Sequence, residues 1–360
     1  MNTKTIDITN IVLLLMSTIL AFIIPFELFL FSYAVLGPLH YLTEITWLKK
    51  RDYFTNGKKD YIFLIIPCIV LTVIVLVGNY GDSPIVKDLN SFFVSAFGQQ
   101  VFNFSNVMIF LAFFSALAFV IFNEWLYKLI FICVALFVGL LIQHSQPFLI
   151  FFAVLLPTII HVFVFTGLFM IYGALKSRST TGIAAAVVFI ICAASFFVWK
   201  PVFDFYNITA YARKAVIMDG KGFINLNAVL INFFQMGRVT MDILFRSPVG
   251  LSIARFIAFG YTYHYLNWFS KTEIIKWHKV PAKWLAVVIV LWVFSVLLYI
   301  YNYKTGLMAL YFLSTLHVFL EFPLNYRSVI GIGEELGSLA GIRKAVVVKN
   351  KPSGANPKKK

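Results

Sequence analysis

The chain has 360 residues, of which 61% are hydrophobic and only 12% are charged. Because soluble domains carry about 25% charged residues, this composition excludes an ordinary soluble protein and indicates an integral membrane protein. The net charge of +15 comes mainly from short loops and the C-terminus, where the positive-inside rule places cytoplasmic Lys and Arg. We therefore predict no nucleic-acid partner, and membrane lipid or a lipid-soluble small molecule as the partner.

Apolar runs recur along most of the chain and predict its fold. A membrane-spanning helix needs roughly 20 apolar residues, and we expect an all-α, polytopic helix bundle with about ten spans. Both termini are predicted to be cytoplasmic, because 21 of the 30 Lys and Arg residues then face the cytoplasm. The predicted spans lie near residues 8–25, 28–48, 61–78, 106–122, 128–143, 147–173, 181–199, 250–270, 282–301 and 305–326.

Three segments depart from this apolar pattern. Residues 79–105 are a polar connection, and residues 200–249 hold an apolar stretch broken by asparagines, which favours an interfacial or re-entrant helix. The transmembrane bundle is expected to occupy residues 1–330. Residues 331–360 are basic and end in three lysines, so we predict a disordered cytoplasmic tail there.

Two His-x-x-x-Glu pairs stand inside apolar runs. His40 is followed by Glu44 in the second span, and His317 is followed by Glu321 in the tenth. A spacing of four residues places both side chains on one helix face. Because an ionisable residue within a membrane is costly, each pair is a functional-site hypothesis.

Two further histidines lie at a similar depth. His161 and His264 fall in the sixth and eighth predicted spans, and all four histidines lie about 12 to 14 residues into their spans, equal in depth to within about 3 Å. The four spans run in the same direction, so the side chains can converge in the bundle core. We predict a metal site with His40, His161, His264 and His317 as ligands.

The predicted site suggests roles for the two glutamates and a choice of metal. Glu44 and Glu321, the predicted catalytic residues, either orient a ligand histidine by accepting its ring N–H or bind the metal directly.

Imidazole ligands suit zinc, copper and iron. Four histidines with nearby carboxylates favour Fe(II) that binds O₂, while zinc, or haem held between two histidines, remains an alternative.

Two short stretches resemble the Brp/Blh family of membrane carotene oxygenases. Gly37-x-x-His40-x-x-x-Glu44 is similar to that family's GxxHGxxD signature. Ser314-x-x-His317-x-x-x-Glu321 is similar to its SxxHxGxxD element, although it stands near the C-terminus here. This chain has Tyr41 where the family has glycine, and glutamate replaces aspartate in both stretches. The resemblance implies a helical membrane bundle in which histidines hold iron and a carotenoid is cleaved with O₂. The chain is also similar to membrane proteins of Bacteroidetes-type bacteria, and this resemblance implies a location in the bacterial cytoplasmic (inner) membrane.

These observations predict a metal-dependent membrane oxygenase, or dioxygenase, that acts on a carotenoid, an isoprenoid or an acyl chain. Three alternatives stay open. A proton- or cation-coupled transporter would use the same buried His and Glu residues. A haem-binding membrane protein would use histidine pairs as axial ligands. In an assembly subunit without catalytic activity, the histidines and glutamates would only pair with one another. The sequence leaves the oligomeric state open.

Overall fold

The computed structural model describes residues 2–79, 84–97, 104–203, 205–219, 221–237, 239–271, 276 and 281–341. Within these ranges the chain is helical and contains no β-strand. The all-α bundle predicted from the sequence is confirmed. Its helices are α1 Thr3–Ile23, α2 Pro25–Lys49, α3 Ile62–Asn79, α4 Pro84–Phe97, α5 Ser105–Ile121, α6 Trp125–Ile142, α7 Gln146–Ser177, α8 Thr180–Val198, α9 Ala210–Lys214, α10 Lys221–Phe233, α11 Met241–Arg246, α12 Pro248–Ser270, α13 Ala282–Tyr301 and α14 Tyr303–Leu339.

A helix lies at each of the ten predicted spans, and eight helices of the described chain are long and apolar enough to cross a membrane. The other two are α5, which has 17 residues, and α12, which is less apolar. Peripheral helices expose large apolar side chains, such as Phe137 of α6 at 64% and Val290 of α13 at 67%. Such surfaces are unfavourable in water and suit lipid, which identifies an integral membrane bundle.

The central helix is α12, in which 17 of 23 residues are buried. Because it is surrounded by other helices instead of lipid, α12 tolerates polar residues that a lipid-facing span would exclude. Two hydrogen bonds fix it against α2: Ser32 Oγ lies 2.7 Å from Thr262 Oγ1, and Trp268 Nε1 donates to Thr43 Oγ1 at 3.0 Å.

A glycine sets the distance between α12 and α7. A side-chain carbon at Gly260 would overlap the ring of Phe163, so only glycine permits this approach. Gly260 lies one turn before His264, and Phe163 lies two residues after His161. The close contact therefore brings two of the predicted ligands to neighbouring positions.

Two expectations about segment boundaries need correction. The connection 79–105 contains a further helix, α4. Residues 331–339 are helical, because α14 continues to Leu339 instead of ending at a tail after residue 330. Gly331 in this extension packs so closely on Tyr172 of α7 that a larger residue would overlap the ring. Residues 342–360 of the predicted tail lie outside the described residues.

The segment 200–249 holds α9, α10 and α11, which have 5, 13 and 6 residues. Each is shorter than the roughly 20 residues that a span requires. The segment packs on α2, α7, α12 and α14. Its assignment as interfacial or re-entrant stays a prediction.

A buried ion pair joins the α2–α3 connection to α6. Lys128 Nζ lies 2.8 Å from Asp60 Oδ2, and both side chains are buried. We expect Asp60→Asn to lower the free energy of unfolding by roughly 3–5 kcal/mol, because it leaves the Lys128 ammonium buried without a counter-charge. Thermal unfolding in detergent measures this loss.

The exposed Asp242–Arg246 pair is the matched control. Asp242→Asn should leave the unfolding temperature unchanged, since exposed pairs contribute about 0–1 kcal/mol. Adding Lys128→Met to Asp60→Asn should restore much of the lost stability. Equal unfolding temperatures for Asp60→Asn and Asp242→Asn would contradict the assignment.

Candidate metal centre

All four predicted histidines meet in the interior of the bundle. They are 2–6% exposed and come from α2, α7, α12 and α14. Their rings form a closed circuit in which each contacts the next. The centroid distances are 4.7 Å for His40–His264, 4.7 Å for His264–His161, 5.2 Å for His161–His317 and 5.4 Å for His317–His40.

The nitrogens of three histidines are close enough to share one ion. His40 Nε2 lies 3.2 Å from His264 Nε2, and one nitrogen each of His40, His264 and His317 lie within 4.8 Å of one another. Three nitrogens bound to one ion at about 2.1 Å lie about 3.4 Å apart in tetrahedral geometry. The His40–His264 separation is already shorter than this, and binding an ion would require the longer separations to shorten by up to about 1.4 Å.

The ring of His161 closes the circuit of histidine rings. It contacts the rings of His264 and His317 at centroid distances of 4.7 and 5.2 Å, but the nitrogens of His161 are not part of the group of three that lie within 4.8 Å of one another. The assignment of the four histidines as ligands of one ion stays a prediction.

The two predicted carboxylates approach the circuit differently. Glu44 Oε2 lies 3.0 Å from Nε2 of His40, on its own helix, whereas Glu321 Oε2 lies 3.3 Å from Nδ1 of His161 on α7. Glu44 contacts the same His40 nitrogen that faces His264, while His40 Nδ1 has no hydrogen-bond partner. This geometry favours Glu44 as a direct ligand over an orienting group behind His40.

Unpartnered polar atoms are concentrated at this point. Both ring nitrogens of His161 and both carboxylate oxygens of Glu321 are buried without a partner in hydrogen-bond geometry. Among the described residues, neither Glu44 nor Glu321 forms an ion pair with Lys or Arg. Buried polar groups are ordinarily satisfied, and a divalent cation would balance two ionised carboxylates. The donor set therefore fits a metal.

The backbone is irregular where these ligands are positioned. A π-helical segment, Ser32–Leu36, directly precedes the turn with His40, and a longer one, Leu149–Phe165, contains His161. Pro157 in the second segment lacks an N–H for the usual helical hydrogen bond. π-Helical turns occur frequently at functional sites because they rotate the side chains that follow.

Comparisons with protein-family models, curated proteins and solved structures give no match. The resemblance to carotene oxygenases stays a prediction.

Aromatic rings surround the circuit. Tyr265 and Trp268 contact the His40 ring at centroid distances of 5.1 and 5.5 Å, and Tyr41 contacts His317 at 5.6 Å. These rings separate the imidazoles from bulk solvent. Such a setting strengthens electrostatic interactions within the site.

Sequence reasoning missed Thr166. Its Oγ1 lies 2.8 Å from Nδ1 of His264, and both residues are buried. If His264 Nδ1 carries the proton and donates to Thr166, the Nε2 lone pair is directed into the circuit. A single threonine in an apolar span carries no sequence signal for this role, because threonine hydroxyls commonly bond to their own helix.

We expect Thr166→Val to weaken metal binding about 10- to 100-fold, as is typical when the partner of a ligand histidine is lost. Valine preserves the shape of threonine but cannot accept the ring N–H. Thr166→Ser, which keeps the hydroxyl, is the control and should bind nearly as well as the wild type. Competition with a chromophoric chelator measures both affinities, and equal affinities for the valine and serine variants would contradict the role.

Proposed function

We propose that this chain is an integral membrane oxygenase that binds Fe(II) at the histidine circuit and oxidises a lipid-soluble substrate with O₂. One observation carries the proposal. Four buried histidines from four helices form one closed circuit of ring contacts. Nitrogens of three of them lie within 4.8 Å of one another, and two carboxylates lie within 3.3 Å of ring nitrogens. Helix bundles build metal sites from inward side chains on facing helices in this way.

The donor set favours iron over the other candidates. Structural zinc sites are usually rich in cysteine and closed at four ligands, whereas this site combines imidazoles with carboxylates. A haem would need a flat macrocycle between axial histidines. The rings of neighbouring histidines lie 4.7–5.4 Å apart in a closed circuit, which leaves no space for such a macrocycle without separating the helices.

Each group of the chain has a distinct task under this proposal. His40, His264 and His317 hold the ion, His161 completes the circuit, and Glu44 and Glu321 balance its charge and accept protons. Bound Fe(II) supplies the reaction with O₂. Tyr41, Tyr265 and Trp268 exclude bulk water, which protects reactive species.

The substrate class follows from the surroundings of the site. A centre inside a membrane bundle meets lipid-soluble molecules more readily than water-soluble ones. The resemblance of the Gly37–Glu44 stretch to carotene oxygenases adds carotenoids to isoprenoids and acyl chains as candidates.

Product formation tests the proposal. Membranes containing the full chain are incubated with carotenoid, isoprenoid and acyl-lipid pools under ¹⁸O₂, and the lipids are analysed by mass spectrometry. We expect ¹⁸O-labelled products with the wild-type chain and none with His317→Ala or under argon. Metal-loaded protein that yields no labelled product from any of these pools would overturn the oxygenase assignment.

A proton- or cation-coupled transporter is the second candidate. The observation that favours it is Asn325, which lies one turn beyond Glu321 and is buried with both amide atoms unpartnered. A buried polar series of this kind is typical of an ion pathway. Proteoliposomes would then show proton uptake that persists after metal is removed and is abolished by Glu321→Gln.

A further inference from the structure

The connection between α2 and α3 carries a dense group of positive charges. Five basic residues fall within eleven positions, and all five are exposed: Lys49, Lys50, Arg51, Lys58 and Lys59. Of the two acidic residues in this stretch, Asp52 is exposed, whereas Asp60 is buried and paired with Lys128. Residues 49–61, which we call the basic connection, therefore present five cations and only one carboxylate to their surroundings.

Hydrogen bonds from neighbouring helices fix the basic connection in place. The Asn56 N–H donates to the carbonyl of Phe119 in the last turn of α5 at 2.9 Å, and Arg327 Nε of α14 donates to the carbonyl of Phe54 at 3.3 Å. The buried carboxylate of Asp60 ties the connection to α6. Because the backbone is already ordered, a ligand that binds here pays little for ordering it.

The backbone of the basic connection is also strained. Asp52, Tyr53 and Phe54 have φ angles of 47°, 54° and 58°, although left-handed backbone is unfavourable for residues other than glycine. Such a conformation persists only where the surrounding structure determines it. The basic connection is thus a defined surface and differs from a loose polar loop.

Aromatic side chains place the basic connection at the membrane–water interface. Trp125 and Tyr127, at the start of α6, are 43% and 56% exposed, and the Trp125 ring lies 4.8 Å from that of Phe63 in the first turn of α3. The Arg51 guanidinium lies 4.1 Å from the ring centroid of Trp47. Trp and Tyr are concentrated at the level of the lipid headgroups, so the cations lie at the depth of the lipid phosphates.

This end of the bundle is the one predicted to face the cytoplasm, where anionic lipids give the leaflet a negative potential. Groups of about four to eight Lys and Arg next to a membrane span are typical of proteins that recognise such lipids. An acidic soluble protein would also complement the charge, but the depth of the cations at the headgroups favours a lipid.

We propose that the basic connection binds the headgroups of anionic phospholipids. The phosphate charge selects these lipids over zwitterionic ones, in which a cationic group offsets the phosphate. Bound lipid holds the end of α2 at the membrane surface, five residues beyond Glu44. This binding does not rest on the proposed function.

Lipid binding to the full chain in detergent tests the proposal. Phosphatidylglycerol and phosphatidylcholine with the same acyl chains are titrated separately, and native mass spectrometry gives the affinity for each. We expect the wild type to bind phosphatidylglycerol at least about 25-fold more tightly. Each Lys near an anionic surface contributes about 1 kcal/mol, or about fivefold, so Lys58→Gln/Lys59→Gln should reduce this ratio about 25-fold.

Lys200→Gln/Lys214→Gln is the matched control, because it removes the same charge from exposed positions near the opposite end of α2. It should leave the ratio unchanged, as should Lys58→Arg/Lys59→Arg, which keeps the charge. Thermal unfolding without lipid should be the same for all of these variants, since the four lysines are exposed. Every variant retains the basic residues after residue 341, so a change in the ratio reports on the basic connection alone.

Four results would overturn the proposal. Equal affinities for the two lipids would mean that the cations set only the orientation of the chain in the membrane. Equal losses in Lys58→Gln/Lys59→Gln and Lys200→Gln/Lys214→Gln would mean that net charge alone attracts the lipid. Inorganic phosphate that displaces phosphatidylglycerol better than chloride at the same ionic strength would indicate a site for free phosphate. Tight binding of polyglutamate without a preference between the lipids would indicate an acidic protein partner.

Discussion

His264→Ala purified beside the wild type will contain almost no iron, whereas the wild type will contain about one iron per chain. His264 contacts His40 and His161 in the circuit, and its Nε2 lies 3.2 Å from His40 Nε2. Removing a ligand should cost more than removing the partner of a ligand, so affinity should fall by more than about 100-fold. Plasma mass spectrometry after anaerobic gel filtration measures the bound iron.

His144→Ala is the matched control, because His144 is exposed just beyond the end of α6. It should retain the iron content of the wild type. His264→Gln keeps a polar side chain in the bundle interior, so it distinguishes loss of a ligand from loss of folding. Gel filtration and thermal unfolding also report on folding. Wild-type iron content in well-folded His264→Ala would rule out this histidine as a ligand.

Replacing both carboxylates with amides should change stability in opposite directions with and without metal. Glu44→Gln/Glu321→Gln preserves shape but removes two buried carboxylates, of which Glu44 Oε2 and both oxygens of Glu321 lack hydrogen-bond partners. Without metal, the variant should be more stable by about 1–3 kcal/mol, because buried unsatisfied groups carry a desolvation penalty. With Fe(II) at about 100 times the wild-type Kd, the wild type should gain about 2.7 kcal/mol and the variant much less.

Thermal unfolding in detergent, with chelator or with anaerobic Fe(II), measures both differences. Glu334→Gln on α14 is the control, since Glu334 is exposed and its replacement should have no effect in either condition. The expected result is a crossing of the unfolding temperatures of the wild type and the double variant. A double variant that gains as much stability from Fe(II) as the wild type would exclude the carboxylates from the site.

The depth of the histidines could be predicted from the sequence, and their rotational position could not. A membrane fixes the thickness that each span must cross, so counting residues from the span ends placed four histidines at one level. The direction of each side chain around its helix depends on packing and on local helix geometry. The π-helical segment around His161 and the Gly260–Phe163 contact set those directions, and a regular 3.6-residue period predicts neither.

The partner of Glu321 illustrates this limit. The His-x-x-x-Glu spacing suggests that Glu321 lies beside His317, but its carboxylate contacts His161 of α7. Spacing describes one helix, whereas this contact depends on how α7 and α14 pack. Thr166 is missed for the same reason, because its role follows from a neighbour 98 positions away.

The C-terminal part of α14 shows tertiary packing overriding local preference. Residues 327–339 contain Gly331, Gly333 and Gly337, and glycine within a helix costs about 1 kcal/mol relative to alanine. The disordered tail itself is predicted from the basic composition after residue 330. In the fold, Gly331 packs directly on the Tyr172 ring, and Arg178 on the turn after α7 forms a 3.0 Å ion pair with Glu335. These contacts extend the helix past the predicted boundary.

The most direct test of the metal centre is X-ray absorption at the iron edge, on full-length protein loaded anaerobically with one equivalent of Fe(II). The geometry predicts a shell of nitrogen and oxygen neighbours at about 2.1 Å, with the multiple scattering of at least the three imidazoles of His40, His264 and His317. The same spectrum from His40→Ala/His317→Ala should lose that scattering together with the iron. Iron that is not retained, or a spectrum without imidazole scattering, would contradict a histidine-bound metal at the centre of this bundle.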